Sequence, residues 1–300
     1  MQIIDDYKNI IRPNEPLTAA LGYFDGFHLG HMRILNELEK SGCKKAVVTF
    51  KNQPLAFITK SQTPYRIMGL EDKVEYFEQL GIDYLFIYDF DEELMNITKE
   101  DYVRIFIDGC NIKYVTAGFN YTFGRNREGN TDNLQRLCLP YGIEVQVMQP
   151  VMFGDKVLSS TLIRQCLYHG EVSTAAQMLG RPFYLKGKVI KGKELGGKLG
   201  FPTANIAIDK DILVPKWGVY VTRVQIEGHE HKGVTNVGDN PTIENDSLSV
   251  ETHVLDFDGD LYGRELKIEF ITMIRPEQKF SSVEGLKEQV ERDIAFVRNY

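Results

Sequence analysis

The sequence is poor in the residues that build redox and metal centres. Its four cysteines, Cys43, Cys110, Cys138 and Cys166, are scattered with no C-x-x-C pair. That spacing predicts neutral thiols in a reducing compartment rather than a zinc or disulfide site. Of six histidines, only His28/His31 and His229/His231 lie close together. The second pair, in IEGHEHKG, reads as an exposed hairpin turn without a metal. No apolar run reaches the length of a membrane span. The first residues, MQIIDDYKNI, lack the basic start and apolar core of a secretion signal, so a cytoplasmic location is expected. Nor is there a basic excess: 35 Lys and Arg stand against 42 Asp and Glu, a net charge of -7. A broad nucleic-acid face is thereby disfavoured, but a local anion pocket is not.

What is present is two halves with different periodicity in 300 residues. Up to about residue 180, short apolar runs (Ala19–Phe24, Ala46–Phe50, Tyr84–Tyr88, Tyr114–Ala117, Glu144–Val147) alternate with helical patterns. Leu29, Met32, Leu35 and Leu38 form one stripe, and Leu70, Val74 and Phe77 another, with Gly81 as a stop. Strand–helix alternation predicts a doubly wound parallel sheet of Rossmann-like type, whose ligands bind beyond the carboxyl ends of the strands. Later, GVYVTRVQI, SVETHVLDF and ELKIEFITMI alternate without helices between them, which predicts a compact antiparallel β-barrel or sandwich. A last helix follows, with Ser281 and Glu284 at capping-box spacing and a stripe of Val283, Leu286, Val290, Ile294 and Val297. The boundary is placed at 183/184, giving domains 1–183 and 184–300.

Gly22–His31 reads GYFDGFHLGH at the end of the first long strand. Asp25-Gly26 turns the chain sharply, and Gly30 removes a side chain where a phosphate would approach. A helix starting near His28 offers free N–H groups and its dipole to an anion. His28 and His31, three apart, share a helical face and can donate to phosphoryl oxygens. Gly22, Phe24 and Asp25 belong to the same candidate phosphate-binding turn. Downstream, LSSTLIRQCL places Ser159, Ser160 and Thr161 at a helix start. Arg164 follows one turn on, suited to the charge that develops on a leaving pyrophosphate.

These elements resemble the nucleotidyltransferase superfamily with its H-x-G-H and S-S-T-x-x-R motifs. More closely, they resemble the N-terminal module of bacterial bifunctional riboflavin kinase/FAD synthetases, in which G-x-F-D-G-x-H-x-G-H precedes S-S-T-x-I-R. AGFNYTFGRNREGN matches that family's middle element at Asn120, Phe123 and Gly124. The resemblance implies that Asn120 helps to form the nucleotide and flavin pocket. From the residues alone, Tyr121 and Phe123 could equally be packing.

The second half carries GKVIKGKELGGKLGFPTANI (Gly187–Ile206). Gly187, Lys193 and Gly200 belong to a glycine-dense basic stretch that could fold over phosphates, with Pro202 at its end. It is not a Walker A sequence. Thr203 and Asn205 supply hard oxygens suited to Mg²⁺. The tetrapeptide PTAN after LGF resembles the signature of riboflavin kinases, and that resemblance runs from about residue 185 to the end. Of the two antiparallel forms, it implies the β-barrel. Glu251, in VETHVLDFDGDLYG, shares a strand face with His253 and Leu255. A carboxylate there can accept a hydroxyl proton during phosphoryl transfer, the role the resemblance implies.

One departure is Gly197, where the kinase family usually has a basic residue, with Lys198 one place later. The expectation is an ATP- and Mg²⁺-dependent enzyme that phosphorylates riboflavin to FMN and adenylylates FMN to FAD. Its partners are ATP, riboflavin and FMN, with no nucleic acid and no membrane. The alternative raised by Gly197 is an FMN adenylyltransferase with a weak or inactive kinase module.

Overall fold

The computed structural model describes residues 1–60, 66–192, 200–239 and 248–300. They form two compact units, Met1–Ser160 and Thr161–Tyr300.

In the first unit, six strands run parallel: β1 (Gln2–Ile4), β2 (Leu17–Leu21), β3 (Lys44–Phe50), β4 (Tyr84–Tyr88), β5 (Ile112–Gly118) and β6 (Glu144–Met148). Their order is β1-β4-β3-β2-β5-β6. All five residues of β2 are buried, as a central strand covered on both faces requires. From β2 the chain builds outward to β3 and β4, then returns to β5 on the other side. The strand order therefore reverses beside β2, the place where such sheets bind ligands.

Between the strands lie α1 (Leu29–Asn36), α2 (Pro54–Thr59), α3 (Leu70–Gln79), α4 (Glu92–Met95), α5 (Lys99–Val103) and α6 (Thr131–Cys138). Side chains close their starts: Asp91 caps α4, Thr98 caps α5, and Asn130 with Asn133 forms a capping box on α6. A small hairpin, β7 (Met152–Phe153) and β8 (Lys156–Val157), precedes α7 (Ser160–His169).

The second unit holds α8 (Val172–Leu179) and a closed barrel in the order β10-β13-β12-β11-β14-β9. Its strands are β9 (Phe183–Ile190), β10 (Ala204–Ile206), β11 (Gly218–Ile226), β12 (His229–Asp239), β13 (Leu248–Val254) and β14 (Glu265–Pro276). All pairs are antiparallel, and β9 meets β10 to close the barrel. Helix α9 (Val283–Asn299) ends the chain. The strand-only pattern begins at Phe183, while the compact division falls earlier, because α8 packs on β9 and β14.

Several local expectations are corrected. The strand expected over Ala19–Phe24 stops at Leu21, because Phe24 and Phe27 take φ of 56° and 46° and turn the chain away. Strand β1 has no counterpart among the expected runs; three partly exposed edge residues carry no periodic signal. In the first stripe Leu35 and Leu38 are buried, joined by Ile34, whereas Leu29 is exposed. The spacing of three suits Leu38, which lies in the 3₁₀ turn Glu37–Ser41. Helix α9 is capped by Ser282, not Ser281: the Ser282 hydroxyl accepts the Gly285 N–H at 3.1 Å. Val283 is exposed and Val297 buried. The hairpin turn is Glu227-Gly228, with φ of 51° and 81°, so His229 and His231 stand in β12. Leu255 lies beyond β13 and is buried, so it does not share the face of Glu251.

Candidate active sites

The GYFDGFHLGH turn leaves the end of β2, and each of its glycines answers to a neighbour. A Cβ on Gly22 would strike the Phe24 ring at 2.9 Å, and one on Gly26 the Ile67 side chain at 2.8 Å. At Gly30 the atoms in the way are those of the His28 ring, at 3.0 Å. Gly30 thus lets that imidazole fold back over the helix start.

His28 is the N-cap of α1, not its first helical residue. Its Nδ1 accepts the His31 N–H at 3.2 Å, which leaves Nε2 to carry the proton and donate. The two rings stack with centroids 3.6 Å apart. His31 also meets the Phe24 ring edge-on at 5.3 Å. Burial, followed by the fields of His28 and Lys73, holds His31 well below the usual histidine range, so it is neutral at pH 7. Its Nδ1 is buried with no protein partner.

Helix α3 supports this turn from beneath. Phe77 meets Phe24 at 5.8 Å and Phe27 at 4.8 Å, and Tyr76 meets Phe27 at 4.4 Å. Asp25 is buried, and its carboxylate accepts the Ile67 N–H at 2.9 Å. The Thr49 hydroxyl donates to the Tyr23 carbonyl at 3.2 Å. Lys73 completes the support. Its Nζ donates to the Phe50 carbonyl at 3.1 Å and lies 4.0 Å from the Tyr23 ring centroid. Sequence reasoning passed over Lys73, although a lysine midway between Leu70 and Phe77 in an apolar stripe is a usable signal.

Ser160 meets the turn directly. Ser160 Oγ donates to the Asp25 carbonyl at 3.0 Å, so that hydroxyl proton is already engaged and its expected availability to a phosphate is reduced. Ser159 is half-buried and Thr161 exposed. Arg164, one turn along α7, is buried, and its guanidinium donates to Thr161 Oγ at 3.3 Å. Asn120 is exposed just after β5. Phe123 and Tyr121 instead pack on the core, and the Tyr121 and Tyr102 hydroxyls lie 2.6 Å apart. Gly124, with φ of 75°, passes so close to the Lys99 backbone that a Cβ would stand 2.9 Å from its nitrogen.

In the barrel, Asn205 on β10 stands opposite Glu251 on β13, and Glu251 stands opposite Asn236 on β12. Three adjacent strands therefore present an amide, a carboxylate and an amide at one level. All three are half-buried, while Ala204, Ile206, Val250, Thr252, Thr235 and Val237 on the other face are buried. Thr203 Oγ donates to Glu251 Oε2 at 3.4 Å, and Ser249 Oγ to Oε1 at 3.0 Å. Ser249 and Asn236 were not singled out from sequence, because only register brings them to Glu251. The Pro202 carbonyl accepts from His253 Nδ1 at 2.8 Å.

Two glycines here have different reasons. A Cβ on Gly192 would overlap the Asn205 amide, so the backbone at Gly192 itself passes directly over it. Gly187 lies within β9, where a Cβ would overlap the Ala207 carbonyl; close strand approach accounts for it. Gly200 is exposed with φ of 90°. Lys193, Gly197 and Lys198 lie outside the described residues. Among those described, no three His, Cys, Asp or Glu side chains gather as a metal site. No described helix is long and apolar enough to cross a membrane.

Comparison with known proteins matches each half. Residues 10–162 match the FAD synthetase family and residues 179–300 the riboflavin kinase family. A bifunctional riboflavin kinase/FMN adenylyltransferase of Listeria monocytogenes is 36% identical over 92% of this chain and 90% of its own length. The protein of the same description from Escherichia coli K12 is 33% identical over 100% of this chain and 98% of its own. A solved structure described as a macrolide-efflux protein from Streptococcus pneumoniae superposes with a TM-score of 0.89 at 29% identity. It covers 99% of this chain and 98% of that one. With both halves matched and relatives at 33% and 36% identity spanning nearly the whole of it, the chain belongs to the bifunctional riboflavin kinase/FMN adenylyltransferase family.

Proposed function

We propose that the family's two reactions divide between the two sites, the barrel site (domain 184–300) making FMN and the turn at the end of β2 (domain 1–183) using it. The enzyme is a riboflavin kinase and an FMN adenylyltransferase, with ATP, riboflavin and FMN as substrates. The weak-kinase alternative rested on Gly197, and the riboflavin kinase match over 179–300 favours the bifunctional reading.

The contrast between the sites' acid–base chemistry carries the assignment. In the barrel, Glu251 offers a carboxylate held by two hydroxyls, suited to take the proton of a riboflavin hydroxyl as its oxygen attacks the γ-phosphorus of ATP, the bond to the β,γ-bridging oxygen breaks and ADP leaves. Thr203 and Asn205 bring hard oxygen donors beside it, a set that fits Mg²⁺. When bound, Mg²⁺ neutralises charge on the phosphates.

At the turn, Asp25 is occupied by Ile67, His28 keeps Nε2 as a donor, and His31 Nδ1 stands without a protein partner. Such a site suits a nucleophile that is already an anion. An FMN phosphate oxygen attacks the α-phosphorus of ATP, the bond to the β-phosphate oxygen breaks, and pyrophosphate leaves. His28 and His31, with the N–H group at Ser160, provide hydrogen-bonding contacts to the phosphates, and the S-S-T-x-x-R resemblance assigns Thr161 and Arg164 to the same reaction. Gly22, Phe24, Gly30, Asn120 and Ser159 shape the nucleotide pocket. Gly187, Gly200 and Pro202 belong to the ATP side of the barrel in this reading; Lys193, named for the same role from sequence, lies outside the described residues. The net charge of -7 supports a small-molecule enzyme without a nucleic-acid partner.

The test is a time course with riboflavin, ATP and Mg²⁺. FMN should rise first and FAD follow with stoichiometric pyrophosphate. Adenylylation of supplied FMN, with no FMN made from riboflavin, would refute the bifunctional reading.

A further inference from the structure

Lys73 occupies a position that α3 would otherwise give to an apolar side chain. It is 4% exposed, the one buried lysine among the described residues. A methionine of similar length would fill the space without the desolvation that burying an ammonium entails. The charge is aimed at the adenylylation turn. Lys73 Nζ donates to the Phe50 carbonyl at 3.1 Å and sits 4.0 Å from the centre of the Tyr23 ring. The charged and titratable groups that face it are Tyr23 and Asp25 from the turn, His31 from α1, and Arg66 from the segment ahead of α3. Asp25 attracts the ammonium; Arg66 opposes it.

The turn needs such support. Phe24 and Phe27 hold positive φ, a conformation that non-glycine residues keep only where their surroundings impose it. Phe77, one turn along α3, clamps both rings. The same helix therefore grips the turn twice, once through apolar contact and once through a cation.

We propose that Lys73 is a positioning residue for adenylyl transfer, its ammonium fixing Tyr23 and Asp25 so that the turn presents His28 and His31 to the phosphates. This rests on the turn being the adenylylation site. Burial brings Lys73 down to about 7, so near neutrality both protonation states of the free enzyme are populated. A bound polyanion favours the ammonium.

The experiment compares K73M, K73R and H31A with the wild type in the full-length protein, assaying both reactions with FMN supplied for the second. K73M is expected to lower kcat for FMN adenylylation by about 100-fold, the scale of a misplacement near the reacting atoms. Its riboflavin phosphorylation and its folded far-ultraviolet spectrum should be unchanged. In the wild type, kcat/KM for ATP should fall as pH rises above about 7. In K73R, whose charge is permanent, that fall should be absent. Adenylylation by K73M within threefold of wild type, while H31A has lost it, overturns the role of Lys73. An alkaline limb unchanged in K73R overturns it equally. Retention of activity by H31A instead overturns the assignment of the site.

Discussion

The carboxylate of Glu251 is held from two sides, by Ser249 at 3.0 Å and Thr203 at 3.4 Å. Hydrogen bonds to a charged group are worth about 1.5–3 kcal/mol, and they also fix its direction. S249A should therefore slow riboflavin phosphorylation roughly tenfold, without changing FAD formation from supplied FMN; separate assays of the two steps decide it. A second residue-scale prediction concerns Lys73. Its folded value is near 7, against an ordinary 10.5. Below 7 it is protonated in both folded and unfolded states. Between 7 and 10.5 only the unfolded chain keeps the proton. The stability of the first unit should then rise with pH across that window, by at most about 1.4 kcal/mol per pH unit. Urea unfolding at pH 7 and pH 9 should show the rise in the wild type and not in K73M.

At the scale of elements, α9 shows what a periodic reading reaches and what it misses. Leu286, Val290, Ile294 and Val297 do form the inward stripe, as the 3.6-residue repeat requires. Asp293 is buried beside them because Arg275 on β14 binds it through Nε and Nη2, at 3.1 and 2.8 Å, and Gln289 adds a further bond. No pattern within the helix announces that pair, since its cation comes from a strand. Asp293→Ala would leave Arg275 without its partner and should destabilise the barrel unit by about 3 kcal/mol, readable as a lowered denaturation midpoint. The same limit explains β1 and Asn236: an edge strand of three residues, and a register partner, are fixed by neighbours distant in sequence.

For the whole molecule, the two proposed sites carry different chemistries, so single substitutions should separate them. His31→Ala is expected to reduce FAD formation by about 100-fold or more while sparing FMN formation, the usual scale for losing one transition-state donor. Glu251→Ala should do the reverse when FMN is supplied. Equal loss of both activities in either folded variant would contradict the two-site arrangement. The sequence by itself determined a parallel α/β half, through helix–strand alternation, and an antiparallel all-strand half, through strand-only alternation; closure of the latter into a barrel rather than a sandwich was decided by the strand pairing. It also marked the H-x-G-H, S-S-T-x-x-R and PTAN segments, because those residue types at those spacings have few other uses. Only the tertiary structure decided how each polar group is held. It made His28 a cap rather than a helical residue, turned Ser160 onto Asp25, and set Asn236 and Ser249 beside Glu251. It also buried Lys73 under Tyr23. Local periodicity reports which face of an element is apolar, whereas hydrogen bonding and desolvation depend on which distant elements that face meets.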